Sequence, residues 1–227
     1  LHLLCRGFCS SAPSDHQRKL MEQLLIAGAN TQILDPSGQS GLHLCILHQN
    51  EVAFQVLLTN SQHCDVNLLN REGISPLWLA LVAQFVPKPL SDEAVQSLSK
   101  LGFAVDLLGE KSKEFAKQLV TAGSNVDLEM ITTVSGSPPT YCWPAPGDTA
   151  LLAAARHGLE AAVLFLLDLP NIQTDVCSRS TVGESPLHLV VESGLADAAC
   201  RLARLGACPN TLRISVSSPQ VCRTVGV

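Results

Sequence analysis

One short pattern occurs four times in the chain: GQSGLHLC from Gly38, GISPLWLA from Gly73, GDTALLAA from Gly147 and GESPLHLV from Gly183. A second pattern alternates with it, as GANTQ from Gly28, HCDVN from His63, GSNVD from Gly123, NIQTD from Asn171 and GACPN from Gly206. Repetition of this kind confines the fold to an array of similar units, each burying one face on the next. Ser185 to Gly206 is 21 residues, and Gly28 to Ser40 and His63 to Ser75 are 12 each. Together these distances make a unit of about 33 residues. Thr149 to Asn171 and Ser40 to His63 depart from 21 by one and two residues.

Each residue type in the pattern has a physical task. Gly38, Gly73, Gly147 and Gly183 sit where a β-turn needs positive φ. The Ser or Thr two residues later is a good N-cap, and Pro76 and Pro186 follow at the tolerated first helical position. Leu42, Leu77, Leu151 and Leu187 then recur at one place and are expected to face the neighbouring unit. Cys45, Ala80 and Ala154 are small enough for helices to approach closely. Second helices follow as EVAFQVLL, KEFAKQLV, LEAAVLFLL and ADAACRLARL, with apolar residues about three and four apart. Gly28, Gly123 and Gly206 stand where such helices end in a left-handed residue.

A β-turn followed by two helices, with T-P-L-H at the start of the first, resembles the ankyrin repeat. The expected fold is therefore an all-α ankyrin-repeat solenoid of about five repeats joined by short β-turns. Leu1-His2-Leu3 matches the L-H-L of the pattern, so the first repeat, residues 1–34, is read as truncated and with an enlarged loop. Repeats follow at 35–69, 70–128, 147–179 and 180–212. Two irregularities interrupt them. Ser75 to Gly123 is 48 residues, which places an insertion of roughly Phe85 to Lys111 between the helices of the third repeat. Residues 129–146, containing TTVSGSPPTYCWPAP, read as an exposed proline-rich loop. The tail, 213–227, lacks another repeat pattern and shows no capping helix. Either further repeats follow or this end is a matter of how the chain was delimited. The absence of an initiating Met likewise reads as a piece of a longer protein.

Composition agrees with this class. Of 227 residues 46% are apolar and 15% charged, enough for a core, while only 4% are aromatic, which disfavours a β-sandwich. A net charge of -5 has the wrong sign for tracking phosphates, so nucleic acid is not expected as a partner. Nine cysteines, an odd number without any CxxC pair, read as reduced thiols and point to a cytoplasmic chain. The most apolar stretch, Ala161 to Leu167, is far short of the roughly 20 residues of a membrane span.

No enzyme chemistry is expected, and no catalytic, cofactor-binding or metal-binding residue is assigned. His2, His43 and His188 fall at the repeat's own histidine position, where the ring bonds the turn. Cys5, Cys9 and His16 fit no usual zinc spacing. Gly183-Glu184-Ser185-Pro186-Leu187 lacks the last glycine of a nucleophile elbow, and there is neither a P-loop nor a G-x-G-x-x-G.

The order of irregularities is similar to a particular family of ankyrin proteins, those that join a BTB domain, a long ankyrin array and a C-terminal FYVE finger. The likeness runs from Leu1 to about Asn210. It rests on LLIAGAN, on SPLWLAL with Trp78 in the histidine position, on the insertion after Leu81, and on AAARHGLEAAVLFLL and GESPLHLV. The insertion's own sequence differs, and no BTB or FYVE residues are present. The resemblance implies an early-endosomal scaffold acting in endocytosis and macropinocytosis. It implies protein partners that include an early-endosomal Rab GTPase, with membrane association only through domains outside this chain. The alternative is the ankyrin region of an unrelated adaptor, such as a ubiquitin-ligase substrate receptor, or of a channel.

Ankyrin partners meet the face made by turn tips and first helices. The tips here are Asp35, Pro36 and Ser37, then Asn70, Arg71 and Glu72, then Arg179, Ser180 and Thr181, all read as exposable. Tyr141 and Trp143, aromatics in the proline-rich loop, form a rival site.

Overall fold

The structure is a computed structural model that describes residues 1–7, 14–60, 64–82, 110–131, 144–169, 180–181 and 183–207. Among these residues every regular element is a helix. In chain order they are α1 (His2–Cys5), α2 (Ser14–Ile26), α3 (Gly41–Leu47), α4 (Glu51–Thr59), α5 (Pro76–Val82), α6 (Glu110–Thr121), α7 (Ala150–Arg156), α8 (Glu160–Leu167), α9 (Pro186–Glu192) and α10 (Ala196–Arg204). They pack as pairs, α3 on α4, α5 on α6, α7 on α8 and α9 on α10, and the α5–α6 pair meets the α7–α8 pair through Trp78 beside His157 and the bond from Met130 N to Asp148 O. First helices meet first helices, α1 on α3, α3 on α5 and α7 on α9, while α2 meets α4 and α8 meets α10. The result is the all-α ankyrin solenoid expected from the repeated pattern.

Local chemistry sets the helix ends. Gly38, Gly73, Gly147 and Gly183 all have φ between 77° and 84°, a region costly for residues with a Cβ. Thr149 Oγ1 accepts from Leu152 N at 3.3 Å, Ser75 Oγ accepts from Trp78 N at 3.2 Å, and Ser185 forms a reciprocal capping box with His188. Ser40 is different. Its hydroxyl lies 2.6 Å from His43 Nδ1, and His43 Nε2 lies 3.0 Å from the Ile74 carbonyl. A carbonyl only accepts, so Nε2 carries the proton and Nδ1 takes the Ser40 hydroxyl proton. Burial pushes His43 down to about 4, against a smaller upward pull from the Ile74 bond; the ring is a neutral clamp between consecutive turns. His2 repeats the clamp one layer earlier, 2.8 Å from the Ile33 carbonyl.

A continuous apolar core runs between the layers. Leu42, Leu77 and Leu151 are buried, as are Cys45, Ala80 and Ala154 where helices come close. Trp78 takes the histidine position of its repeat, and its ring, fully buried, lies 6.3 Å from that of His157 at the end of α7. Cys5, Cys45 and Cys64 are buried free thiols of this core, and burial raises Cys64 to about 11.

Two boundaries move. Glu110 and Lys111, read as the end of the insertion, begin α6 instead, and Lys111 pairs with Glu51 at 3.0 Å on the outer face. The rest of that segment lies outside the described residues. The proline-rich loop is shorter than its expected 129–146. Met130 is fully buried and donates its N–H to the Asp148 carbonyl at 3.0 Å, and Pro144 is buried too. The ends of that segment thus belong to the turn, where backbone groups must find partners.

Candidate functional site

The turns project to one side of the helix stack and bond one another. Asp35 N donates to Gln39 O, Asn70 N to Ile74 O and Ser180 N to Glu184 O, at 2.8, 3.0 and 2.9 Å. In each, the glycine N–H three residues on donates back to the carbonyl of the same residue. Successive turns are then joined: Arg71 N donates to Gly38 O at 2.9 Å, and Ile131 N to Gly73 O at 3.1 Å. The approach is close enough that a Cβ on Gly38 would stand 2.4 Å from Arg71 Cβ, and one on Gly147 2.8 Å from Thr181 Cγ2. These contacts make the tips a rigid ridge rather than separate loops.

Three residues read as exposable are buried: Asp35, Asn70 and Ser180. Each uses its side chain to close its own turn. Asn70 Oδ1 accepts from Glu72 N at 3.1 Å and Ile74 N at 2.9 Å, and Ser180 Oγ accepts from Glu184 N at 3.1 Å. Asp35 accepts from Gln39 N at 2.8 Å, from the Ser37 hydroxyl and from the Arg6 guanidinium. Burial by itself would raise the Asp35 carboxyl; the bonds from Ser37, Gln39 and Arg6 outweigh it and hold the group at about 2. What the ridge offers to solvent is therefore Pro36, Ser37, Arg71 and Thr181, with Glu72 half-buried between them. Arg179 lies outside the described residues, as do Tyr141 and Trp143 of the rival site.

Sequence reading missed Ile131, which is 63% exposed. It stands five residues after Val126 as Arg71 stands five after Val66, and its N–H bonds the preceding turn in the same way. Counting from the valine would have found it. The row Pro36, Arg71, Ile131 and Thr181 thus occupies equivalent places on consecutive turns.

Arg71 is pinned along the ridge, with Cδ and Nε over Gly38 and Nη1 3.3 Å from the Pro36 carbonyl. Below the tips, Gln39 bonds Asn70 at 3.1 Å. Further along, Arg156 grips fully buried Asp148 with two bonds, at 2.9 and 3.1 Å, and reaches Glu184 of the next layer at 2.8 Å. The Asp148 bond raises the Arg156 guanidinium further above its ordinary range, burial opposing. Chemically the ridge alternates basic, acidic and apolar groups on a hydrogen-bonded backbone. Among the described residues no three His, Cys, Asp or Glu side chains converge as a metal site, and no described helix is long and apolar enough to cross a membrane.

Stacked helix pairs with bonded turns on one side define a repeat-built interaction module. The chain belongs to the ankyrin-repeat family. It is 34% identical over 192 residues to Rabankyrin-5 of Mus musculus and, equally, of Homo sapiens, a match covering 85% of this chain and 15% of each relative. It is also 30% identical over 151 residues to the nuclear factor NF-kappa-B p105 subunit of Gallus gallus, covering 65% of this chain and 15% of that protein. No family profile matches the chain. The chain thus spans about 15% of the length of the Rabankyrin-5 relatives.

Proposed function

We propose that the chain is a non-enzymatic protein-interaction scaffold of about five ankyrin repeats, binding through the ridge of Pro36, Ser37, Arg71, Glu72, Ile131 and Thr181. The third repeat carries the insertion, and residues 180–212 form the last. The observation that carries the reading is the turn-to-turn bonding, which holds exposed side chains of differing chemistry at fixed spacing, so little entropy is lost on binding. The finer reading is a Rabankyrin-like scaffold of the early endosome, acting in endocytosis or macropinocytosis, cytoplasmic and reaching the membrane through other domains. Its support is 34% identity over 85% of the chain. A Rab GTPase of that compartment is the partner this reading names.

The test is a pull-down of early-endosomal Rab GTPase, loaded with a GTP analogue or GDP, on immobilised chain. The reading expects GTP-dependent retention, lost at least about tenfold in an Arg71→Glu, Ile131→Asp variant that keeps its helical spectrum. Retention that survives this change but falls in Tyr141→Ala, Trp143→Ala assigns binding to the proline-rich loop. No retention of the Rab in either nucleotide state removes the endosomal reading.

A further inference from the structure

Among the described residues, Arg6, Arg71 and Arg156 stand at the turns, and two of them are neutralised from within. Arg6 bonds Asp35, and Arg156 bonds Asp148 and Glu184. Arg71 differs: its Nη1 donates to the Pro36 carbonyl at 3.3 Å, and it pairs with no carboxylate of the described chain. The acid next to it in sequence is engaged elsewhere, since Glu72 Oε2 accepts from Asn70 Nδ2 at 3.2 Å and from Gln39 Nε2 at 3.5 Å. Although Arg71 is exposed, its side chain is held. Cδ and Nε each lie 3.3 Å from where a Cβ would stand on Gly38, so the stem rests along backbone that carries no side chain. A guanidinium has five N–H donors. Here one bonds the chain, and the others are oriented but unused.

We infer that Arg71 seats a carboxylate of the partner: the ridge takes an acidic peptide segment, with an Asp or Glu on Arg71 and an apolar residue beside it. This rests on the ridge being the binding surface and adds what the partner must carry there. Carboxylate and guanidinium meet through two parallel charge-assisted bonds, and the ordering that usually costs affinity is already done by Gly38 and the Pro36 carbonyl. The apolar companion follows from the neighbouring turns, where exposed Pro36 precedes Arg71 and Ile131, 63% exposed, follows it. A phosphate-bearing membrane surface is a poorer match. Such surfaces are met by clusters of several bases, whereas this ridge offers one cation not already paired with an acid, in a chain of net charge -5.

Selection of a phage-displayed random peptide library on the immobilised 227-residue chain tests this. The expected peptides are enriched in Asp or Glu next to an apolar residue. One selected peptide, and the same peptide with its acid replaced by the amide, are then titrated by fluorescence anisotropy against the native chain and against Arg71→Met, which keeps an unbranched stem over Gly38 without the charge. The amide should bind the native chain about tenfold more weakly, and the two peptides should bind Arg71→Met alike. An amide penalty of the same size in both proteins overturns the inference, because the carboxylate then meets another group. Selection that yields no acidic peptides, or retention of phosphatidylserine vesicles in their place, overturns it as well. Rab retention that depends on Arg71 and Ile131 while no acidic peptide is selected leaves the ridge reading standing and removes this one alone. Acidic peptides that bind Arg71→Glu, Ile131→Asp as they bind the native chain sink both.

Discussion

Replacing Asp35 by Asn removes the charge from a buried turn residue while keeping one acceptor oxygen. The carboxyl is ordinarily at 3.8 and stands at about 2 in the folded chain, a fall worth about 2 kcal/mol at about 1.4 kcal/mol per pH unit. Its side chain is 2% exposed, so solvent screens it little, although the Arg6 end of the pair is 34% exposed. The folded pKa lies below the unfolded one, so the unfolded chain binds the proton first. The contribution is therefore complete above about 3.8 and is lost as pH falls toward 2. Urea unfolding of the native chain and of Asp35→Asn should differ by about 2 kcal/mol at pH 7. That difference should shrink toward zero near pH 2, because the other carboxylates are common to both proteins. A difference that stays constant from pH 7 to pH 2 would show that the Asn variant loses geometry rather than charge. Equal stability at pH 7 would refute the assignment of Asp35 as the keystone of its turn.

Other consequences follow from the same geometry. His43 stands at about 4 against an ordinary 6.5, so its neutral form contributes about 3 kcal/mol above pH 6.5 that is lost as pH falls to 4; His43→Leu should flatten that part of the unfolding profile. Gly38→Ala should cost clearly more than Gly28→Ala: both have positive φ, worth roughly 1 to 2 kcal/mol, but only at Gly38 does the new Cβ strike Arg71, and thermal unfolding ranks the two. Leu151→Ala should cost roughly 2 to 5 kcal/mol, since Leu151 is fully buried between layers, whereas half-buried Leu187 should cost less by the same denaturant measurement. Lys111→Ala should change stability by at most about 1 kcal/mol, as its ion pair with Glu51 is exposed on both sides.

Turn glycines, helix caps and paired helices were legible in the amino-acid order because their causes are local. A positive φ at Gly73, a cap at Thr149 or a glycine stop at Gly123 depends on residues within one turn of chain, and their recurrence then implies stacking. The end of the insertion, read at Lys111, gives way to a helix that already begins at Glu110 for a related reason: a helix start without Pro or a clear cap leaves a weak local mark. What each turn residue does was decided elsewhere. Asp35, Asn70 and Ser180 are polar residues in turns, which composition alone assigns to solvent, yet they are buried because Arg6 and the turn's own N–H groups claim them. Ile131 is apolar and stands exposed because its backbone, not its side chain, is tied to Gly73 of the layer before. Val191 and Ala155 share a place in the pattern and differ wholly in exposure. The sequence by itself determines the unit and its period; which side chains face water is set by the layer above and the layer below, contacts between residues about 33 apart that no local window contains.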